Sequence, residues 1–523
     1  MLEEERKYEV PESFTLPDLS GAVPDSGRVV DLPPVTLTAT YYDTPDLRLA
    51  RAGVSLRHRR GDKLPWTVKL PADSPGVRHE ISRRGKASAT PADLVALVTA
   101  YARGVELAPA AGVRTVRRAH ELRDADDRVL AEIADDEVSV LDGKRVRSSF
   151  REIEVERKAG DRDLLDAVEA TLVAAGAEAG GFTPKHVRAL GEAASAGPDL
   201  VAPADLPAEP TAGDVVTAAI RFGAGRLLAH DPLVRLRAPV GDDDTAVHQM
   251  RVGCRRLRSD LRTFAPLVRA DWAEPLRDEL KWLAGVLGGA RDAEVLRERL
   301  RRTASTDPLA PLDTDAVDRI DAILVARHDA ALTTVDEALT SARYADLVET
   351  LVAATRAPKL TRRAKGPAGE VLPTLVAKPW RRLADGRSAS GKGGSGKGDG
   401  GQEVVGAGSL DPQAPDAKWH AVRINGKKAR YAVDAVAPVV GGGAAKLAKS
   451  LRQVQNLLGE HQDAAVAAET WLSIAATDPA DHAMAVTAGR LVERERAAIH
   501  AIRADFPEAW RKAVKGSRTK WLP

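Results

Sequence analysis

The sequence predicts an α+β multidomain chain: an N-terminal antiparallel β-barrel with a polar bore, followed by an all-α domain built as a duplicated helical bundle. Three observations carry this prediction. Residues 1–190 alternate charged and apolar side chains at a period of two, whereas the chain beyond 213 is rich in Ala, Leu, Arg and Glu at helical spacing. A basic motif and an acidic motif downstream of it occur twice in the same order. Between the two regions, "EAASAGPDLVAPADLPAEPTAG" has the Ala/Pro-rich composition of a linker.

The 523 residues exceed what one core accommodates, so several domains are expected. Lys and Arg number 77 against 75 Asp and Glu, so the net charge is only +2 and any polyanion partner must be recognised by local patches. The single cysteine, Cys254, excludes an intrachain disulfide and a cysteine-rich zinc site, and is expected to be buried. A charged N-terminus and the lack of a long apolar run predict a cytoplasmic protein without membrane contact. No GxxxxGK[ST] loop and no HExxH spacing occur, which argues against a P-loop ATPase and a zinc hydrolase.

In the N-terminal third, "EEERK" places Glu3, Glu5 and Lys7 on one side of a strand. "SLRHRR" aligns Arg57 with Arg59, "WTVKL" sets Lys69 against Trp66, Val68 and Leu70, and "FREIEVERK" alternates Glu152, Glu154 and Glu156 with Ile153 and Val155. If the apolar set faces an outer hydrophobic layer, the charged faces converge inward, as in a closed barrel. Cations in such a bore neutralise phosphate oxygens, and glutamates suit Mg²⁺ or Mn²⁺, which prefer oxygen ligands.

These segments resemble the CYTH family, the triphosphate tunnel metalloenzymes, over residues 1–191. "EEERK" is similar to the family's Glu-x-Glu-x-Lys signature, "YYDTPDLRLARAGVSLRHRR" to its Tyr-Asp-Thr and Leu-Arg-x-Arg stretch, and "TPKHVRAL" to its terminal Ser-Lys segment, with Thr183 for serine. The resemblance implies an eight-stranded tunnel that hydrolyses a triphosphate with Mg²⁺ or Mn²⁺. Carried over by position, it implies Glu3, Glu5, Glu154 and Glu156 as metal ligands and Lys7, Arg57, Arg59, Lys69, Arg117 and Lys185 as triphosphate ligands. Glu80 and Glu132 match further acidic positions, while strand parity near Asp135 and Asp136 stays open. "VRTVRRAHEL" departs from the family's alternating basic pair by placing Val116 between Arg114 and Arg117/Arg118.

In the helical region, "VHQMRVGCRRLRSDLRTF" puts His248, Arg251, Arg255, Arg258 and Arg262 within an arc of roughly 80° on a helix. Met250, Leu257, Leu261 and Phe264 gather opposite. "WHAVRINGKKARYAVDAV" repeats the pattern with His420, Arg423, Lys427, Lys428 and Arg430, but has Asp434 where the first copy has Arg262, which predicts a weaker grip. Downstream, "LGGARDAEV" and "LGEHQDAAV" bring Asp292 and Asp463 into matching positions. A stripe with little acidic relief suits a linear polyanion bound by counterion release, and arginine can grip two phosphate oxygens at once.

This region resembles a CHAD domain, an all-helical family named for conserved histidines, over residues 212–515. The resemblance implies two pseudo-symmetric bundles that bind inorganic polyphosphate, and with it association with polyphosphate granules. The expected organisation is a barrel at 1–191, a linker at 192–211 and helical repeats at about 212–350 and 366–515, with a Gly/Ser-rich loop at 384–417 too polar to form a core. The expected polyphosphate ligands are His248, Arg251, Arg255, Arg258, His420, Arg423, Lys427 and Arg430. Few aromatics interleave with them, so no specific nucleic-acid binding is expected. The function that follows is metal-dependent triphosphate hydrolysis coupled to polyphosphate binding. Two alternatives remain: a non-catalytic polyphosphate-targeting protein, or a cyclase of the adenylate cyclase class IV type.

Overall fold

A computed structural model describes residues 2–23, 26–72, 76–179, 183–241, 244–386 and 405–523, with the side chains of Leu2 and Glu3 outside that description. The chain divides into two compact units, Met1–Asp199 and Leu200–Pro523.

The first unit is the barrel. Its strands are β1 (Leu2–Val10), β2 (Arg28–Asp31), β3 (Val35–Asp43), β4 (Ser55–Arg60), β5 (Trp66–Pro71), β6 (Val77–Arg83), β7 (Ala108–Arg123), β8 (Val129–Asp142), β9 (Arg145–Arg157) and β10 (Glu178–Ala179). The order β1-β6-β5-β4-β3-β7-β8-β9 closes through antiparallel β1–β9 pairing, so eight strands form the ring while β2 and β10 hang on β7 and β1. Short helices α1 (Arg48–Arg51), α2 (Ala92–Leu97) and α3 (Thr99–Ala102) lie in the connections.

The barrel's apolar core lies on its outer wall. Helix α4 (Arg162–Ala174), capped by Asp161 accepting from the Leu164 N–H at 2.9 Å, lays Leu164, Leu165, Val168 and Leu172 against Tyr8, Ile133, Ile153 and Val155. Each such side chain contributes about 1.5–3 kcal/mol through burial. The same alternation that sends Ile153 and Val155 outward sends Glu152, Glu154 and Glu156 inward.

The second unit is helical: α6 (Ala212–Ala229), α7 (Asp231–Arg235), α8 (Ala246–Thr263), α9 (Ala270–Ala304), α10 (Thr314–Thr340), α11 (Ala342–Arg356), α12 (Ala368–Ala384), α13 (Asp416–Val440), α14 (Gly442–Ala475), α15 (His482–Ala513) and α16 (Gly516–Thr519), after α5 (Lys185–Leu190) at the end of the barrel unit. The sequential packing α6–α8–α9–α10 is repeated by α12–α13–α14–α15, and α8 also packs on α13. Leu300, Ile320 and Leu324 of the first set share a core with Trp471, Ile474, Met484 and Leu491 of the second. Gly253 lets α8 approach α6, because a Cβ there would sit 3.0 Å from the Leu227 amide nitrogen. Cys254 is buried and free, with its thiol pushed up to about 12 by burial.

Three details differ from expectation. The start of the 192–211 linker is fixed to the barrel unit: Glu192–Ser195 forms a 3₁₀ turn, and Asp199 pairs with Arg51 at 2.7 Å and with Arg103. The first repeat runs beyond 350, because Leu351 and Val352 continue the buried face of α11 to Arg356. Within 384–417, residues 387–404 lie outside the described residues, but Ala407, Leu410 and Ala414 are buried, since these apolar residues give the segment something to pack.

Candidate functional site

The bore is a small, densely charged cavity of about 130 Å³, lined among others by Glu5, Lys7, Arg57, Lys69, Arg117, Glu132, Glu154, Glu156 and Lys185. Strand register places these groups in rows. Glu5 of β1 stands opposite Glu156 of β9, which stands opposite Glu132 of β8. One step along, Lys7 faces Glu154; a further step brings Glu152 opposite Asp136, which pairs across β8–β7 with Arg117. This resolves the parity of the acidic pair on β8. Asp136 points into the bore, whereas Asp135 points outward and accepts from Arg151 at 2.7 and 2.8 Å. Arg117 likewise points inward, and Arg118 outward to Glu137 at 2.8 Å. The position two residues before Arg117 is Thr115, so β7 supplies one inward arginine in place of an alternating pair.

Glu154 is the electrostatic centre. It pairs with Lys7, with Arg117 at 2.9 Å and with Lys185 at 3.1 Å. Burial opposes its charge, but Lys185, Lys7 and Arg117 outweigh burial and hold its carboxyl well below the usual range. Lys185, the first residue of α5, also reaches Asp136 and lies 2.9 Å from Glu152. Burial drives the Glu152 carboxyl up to about 7, against the pull of Lys185, its one cation within ion-pair distance among the described residues. Asp136, Glu152 and Glu154 each offer an oxygen within 4.8 Å of the others. Arg117 closes a fork on Asp136 at 2.7 and 2.8 Å.

Of the expected metal ligands, Glu5, Glu154 and Glu156 line the bore, and the side chain of Glu3 lies outside the described residues. Glu5 sits 3.2 Å from Lys7 and 3.8 Å from Lys69; Glu156 pairs with Lys158 at 2.5 Å. All six expected triphosphate ligands line the bore, with Arg59 also bound to Asp62 and Lys69 to Glu80 at 3.1 Å. Sequence reasoning missed Tyr41, Arg78 and His186 and left Asp136 open. Parity signals Arg78, two residues from Glu80, and places Asp136, four from Glu132, on the inward face. His186 is buried, its Nε2 has no hydrogen-bond partner among the described residues, and its ring lies 5.7 Å from that of Tyr41. Burial and the nearby Arg78 and Lys7 push it down to about 3, so it is neutral at any physiological pH. The carboxylate oxygens of this cavity fit Mg²⁺ or Mn²⁺, hard ions with oxygen ligands.

In the helical unit, α8 and α13 carry the two basic motifs side by side. Thr245 caps α8 by accepting from the His248 N–H at 3.1 Å, and the buried face runs through Met250, Cys254, Leu257 and Leu261. The repeated downstream aspartates hold the repeated arginines: Arg251 lies 3.2 Å from Asp292 and Arg423 lies 3.9 Å from Asp463. Those two arginines are therefore partly neutralised within the chain, a correction to the expectation of an unrelieved stripe. Gly288 leaves room for this contact, since a Cβ would meet the Arg251 guanidinium at 3.4 Å. Arg255, Arg258 and Lys427 have no acidic partner within ion-pair distance among the described residues, while Arg430 pairs with Asp434 at 3.3 Å. His420 is hydrogen-bonded to Gln462, and His248 lies beside Arg291 and Glu294.

The CYTH domain profile matches residues 1–189 and the CHAD domain profile matches residues 218–472. Uncharacterized protein Rv2226 of Mycobacterium tuberculosis is 31% identical over 544 residues, spanning 99% of this chain and 97% of its own length. The chain belongs to the family that joins a CYTH domain to a CHAD domain. CYTH domains act on triphosphates with a metal ion, and CHAD domains are linked to polyphosphate. Among solved structures, PptA from Streptomyces chartreusis is 26% identical and covers 58% of this chain and 99% of its own, with a TM-score of 0.45. The CHAD domain of Ricinus communis is 24% identical over 58% of this chain and 94% of its own, with a TM-score of 0.41. Among the described residues, no helix is long and apolar enough to cross a membrane.

Proposed function

We propose that the CYTH bore hydrolyses a triphosphate with Mg²⁺ or Mn²⁺ and that the basic helices of the CHAD domain bind inorganic polyphosphate. One observation carries the catalytic half: seven cations and five glutamates converge in one cavity. A pure anion binder gains nothing from glutamates there. Glu5, Glu132, Glu154 and Glu156 would hold the metal, because all four line the cavity, whereas Asp136 and Glu152 lie behind it against Lys185. A divalent ion at that site offsets phosphate charge and makes bound water more acidic.

The chain's own groups do the rest. Arg57, Arg59, Lys69 and Arg78 line the bore where phosphate oxygens would sit, and Arg57 has a buried Nε without a partner. In-line attack of water on the terminal phosphorus breaks the bridging P–O bond, releasing orthophosphate and the shortened phosphate, while a bore carboxylate takes the proton. Arg117 and Lys7 position Glu154, and the basic groups stabilise charge without forming covalent bonds. The cavity is small, about 130 Å³, and lined mostly by charged groups, which suits a phosphate chain better than a nucleobase. That favours hydrolysis over cyclisation, which needs a wall for adenine.

Product analysis tests this reading. The full chain, given tripolyphosphate, ATP and thiamine triphosphate with Mg²⁺ or Mn²⁺, is expected to release orthophosphate. Pyrophosphate with cyclic AMP would establish the cyclase, and binding without turnover would establish the targeting protein.

Polyphosphate binding should also depend on pH. Burial and the neighbouring Arg255, Arg423 and Arg251 push Lys427 down to about 7, against a weaker pull from Asp463; burial with Arg262 and Arg382 pushes Lys428 down to about 8. Both lysines are largely neutral at pH 9 and charged at pH 6, and a bound anion stabilises the charged form. Affinity should therefore rise by about one to two orders of magnitude as pH falls from 9 to 6 at constant ionic strength. A Lys427→Met/Lys428→Met variant should lose most of that dependence, as measured by titration calorimetry. An unchanged pH profile would contradict the assignment.

A further inference from the structure

We propose that Arg258, Arg262, Arg277, Arg382 and Lys428 form a second phosphate-binding subsite at one end of the α8–α13 seam, which makes the polyanion surface one-ended. The inference rests on the polyphosphate reading above and adds Arg277 and Arg382, which lie outside the paired motifs and gather Arg258, Arg262 and Lys428 of those motifs into one cluster. Four helices supply the cluster: α8 gives Arg258 and Arg262, α9 gives Arg277, α12 gives Arg382 and α13 gives Lys428. The last three pack against α8 or against one another, with α8 on α9, α12 on α13 and α8 on α13. Arg277 and Arg382 each bury an Nε with no hydrogen-bond partner, and none of the five cations has an acid within ion-pair distance among the described residues. Their proximity also shows in their mutual charge. Beyond the effect of burial, Arg277 and Arg262 disfavour the charge on Arg258, Arg277 and Arg382 that on Arg262, and Arg262 and Arg382 that on Lys428.

The duplicated fold provides an internal control. Arg258 is equivalent to Arg430, Arg262 to Asp434 and Arg256 to Lys428. At the equivalent end, Asp434 takes Arg430 at 3.3 Å and lies 3.6 Å from Arg256, and both guanidiniums lie over the Tyr431 ring at 5.2 and 5.5 Å. Arg256 is held further by the buried Asp260 at 3.0 Å. One end of the seam is thus neutralised by its own acids, and the other has cations where those acids would stand. A merely solvated helix face mixes signs at such spacing. Asp434 therefore accounts for the weaker charge of the second copy as a seam contact. Along α8, Arg251 to Arg262 spans about 16 Å at 1.5 Å per residue, so only an extended chain reaches both the paired motifs and this subsite.

The test is equilibrium binding of long-chain inorganic polyphosphate to the full chain over a salt series. Arg277→Ala/Arg382→Ala is expected to weaken binding at least tenfold and lower the log–log salt slope by about one to two, the loss for two cations. Arg277→Lys/Arg382→Lys should keep the slope. Asp434→Asn, which frees Arg430 and leaves Arg256 to Asp260, should raise both affinity and slope, and it tests the asymmetry even if the double alanine variant fails to fold. If the parent binds and Arg251→Glu/Arg423→Glu weakens it, yet the Arg277/Arg382 and Asp434 variants match the parent, the subsite is wrong and the polyphosphate reading stands. A parent that does not bind polyphosphate overturns both. Duplex DNA displacing polyphosphate at equal phosphate concentration would overturn the ligand class.

Discussion

Glu5→Ala and the isosteric Glu5→Gln are each expected to lower triphosphate turnover by about two orders of magnitude or more, as the loss of one preorganised electrostatic group typically does. Glu5 is only 9% exposed, lies 3.2 Å from Lys7 and faces Glu156 across the β1–β9 pairing. Removing it takes an oxygen donor from the bore and one carboxylate from beside Lys7. The bore then becomes more positive, so triphosphate binding should persist while turnover falls and the metal concentration for half-maximal rate rises. The glutamine variant separates this effect from packing, because it keeps the side-chain volume. Phosphate release with thermal melts on the same samples measures it. Turnover equal to the parent in either variant would remove Glu5 from the site.

Arg251→Glu combined with Arg423→Glu is expected to nearly abolish polyphosphate binding, with each single change giving an intermediate loss. The two residues occupy equivalent positions on α8 and α13, and each reversal also places a new carboxylate beside Asp292 or Asp463. Residual binding should show a salt slope reduced by several units, since each reversal removes one cation and adds one anion. Triphosphate hydrolysis should be unaffected, because both residues belong to the helical unit. Polyphosphate binding insensitive to salt, or a double variant that binds as the parent does, would return these arginines to the role of an ordinary solvated surface.

The barrel was legible because its alternation is strict where both faces are occupied: Ile153 and Val155 meet α4 while Glu152, Glu154 and Glu156 meet the bore. The duplicated helices were legible because charge and spacing recur together. What escaped lies where the relevant contact is remote in sequence. Asp135 and Asp136 look alike locally, and only pairing with Arg151 on one face and Arg117 on the other distinguishes them. The internal neutralisation of Arg251 by Asp292 joins residues on two helices, so a single helical wheel shows the arginine without its counter-ion. Arg277 and Arg382 carry no local signature, because their role depends on where α9 and α12 pack against the basic helices. The start of the linker is hidden for the same reason: Asp199 reads as a loop residue until Arg51 and Arg103 are seen to hold it.

The central claim is that the bore is a metal-dependent triphosphatase, and its most direct test is orthophosphate release from tripolyphosphate by the full chain as Mg²⁺ or Mn²⁺ is titrated. Steady turnover that saturates with metal, disappears on chelation and returns when metal is restored is the expected result. Bound tripolyphosphate with no orthophosphate released at any metal concentration, or release that continues unchanged in the presence of chelator, would contradict it.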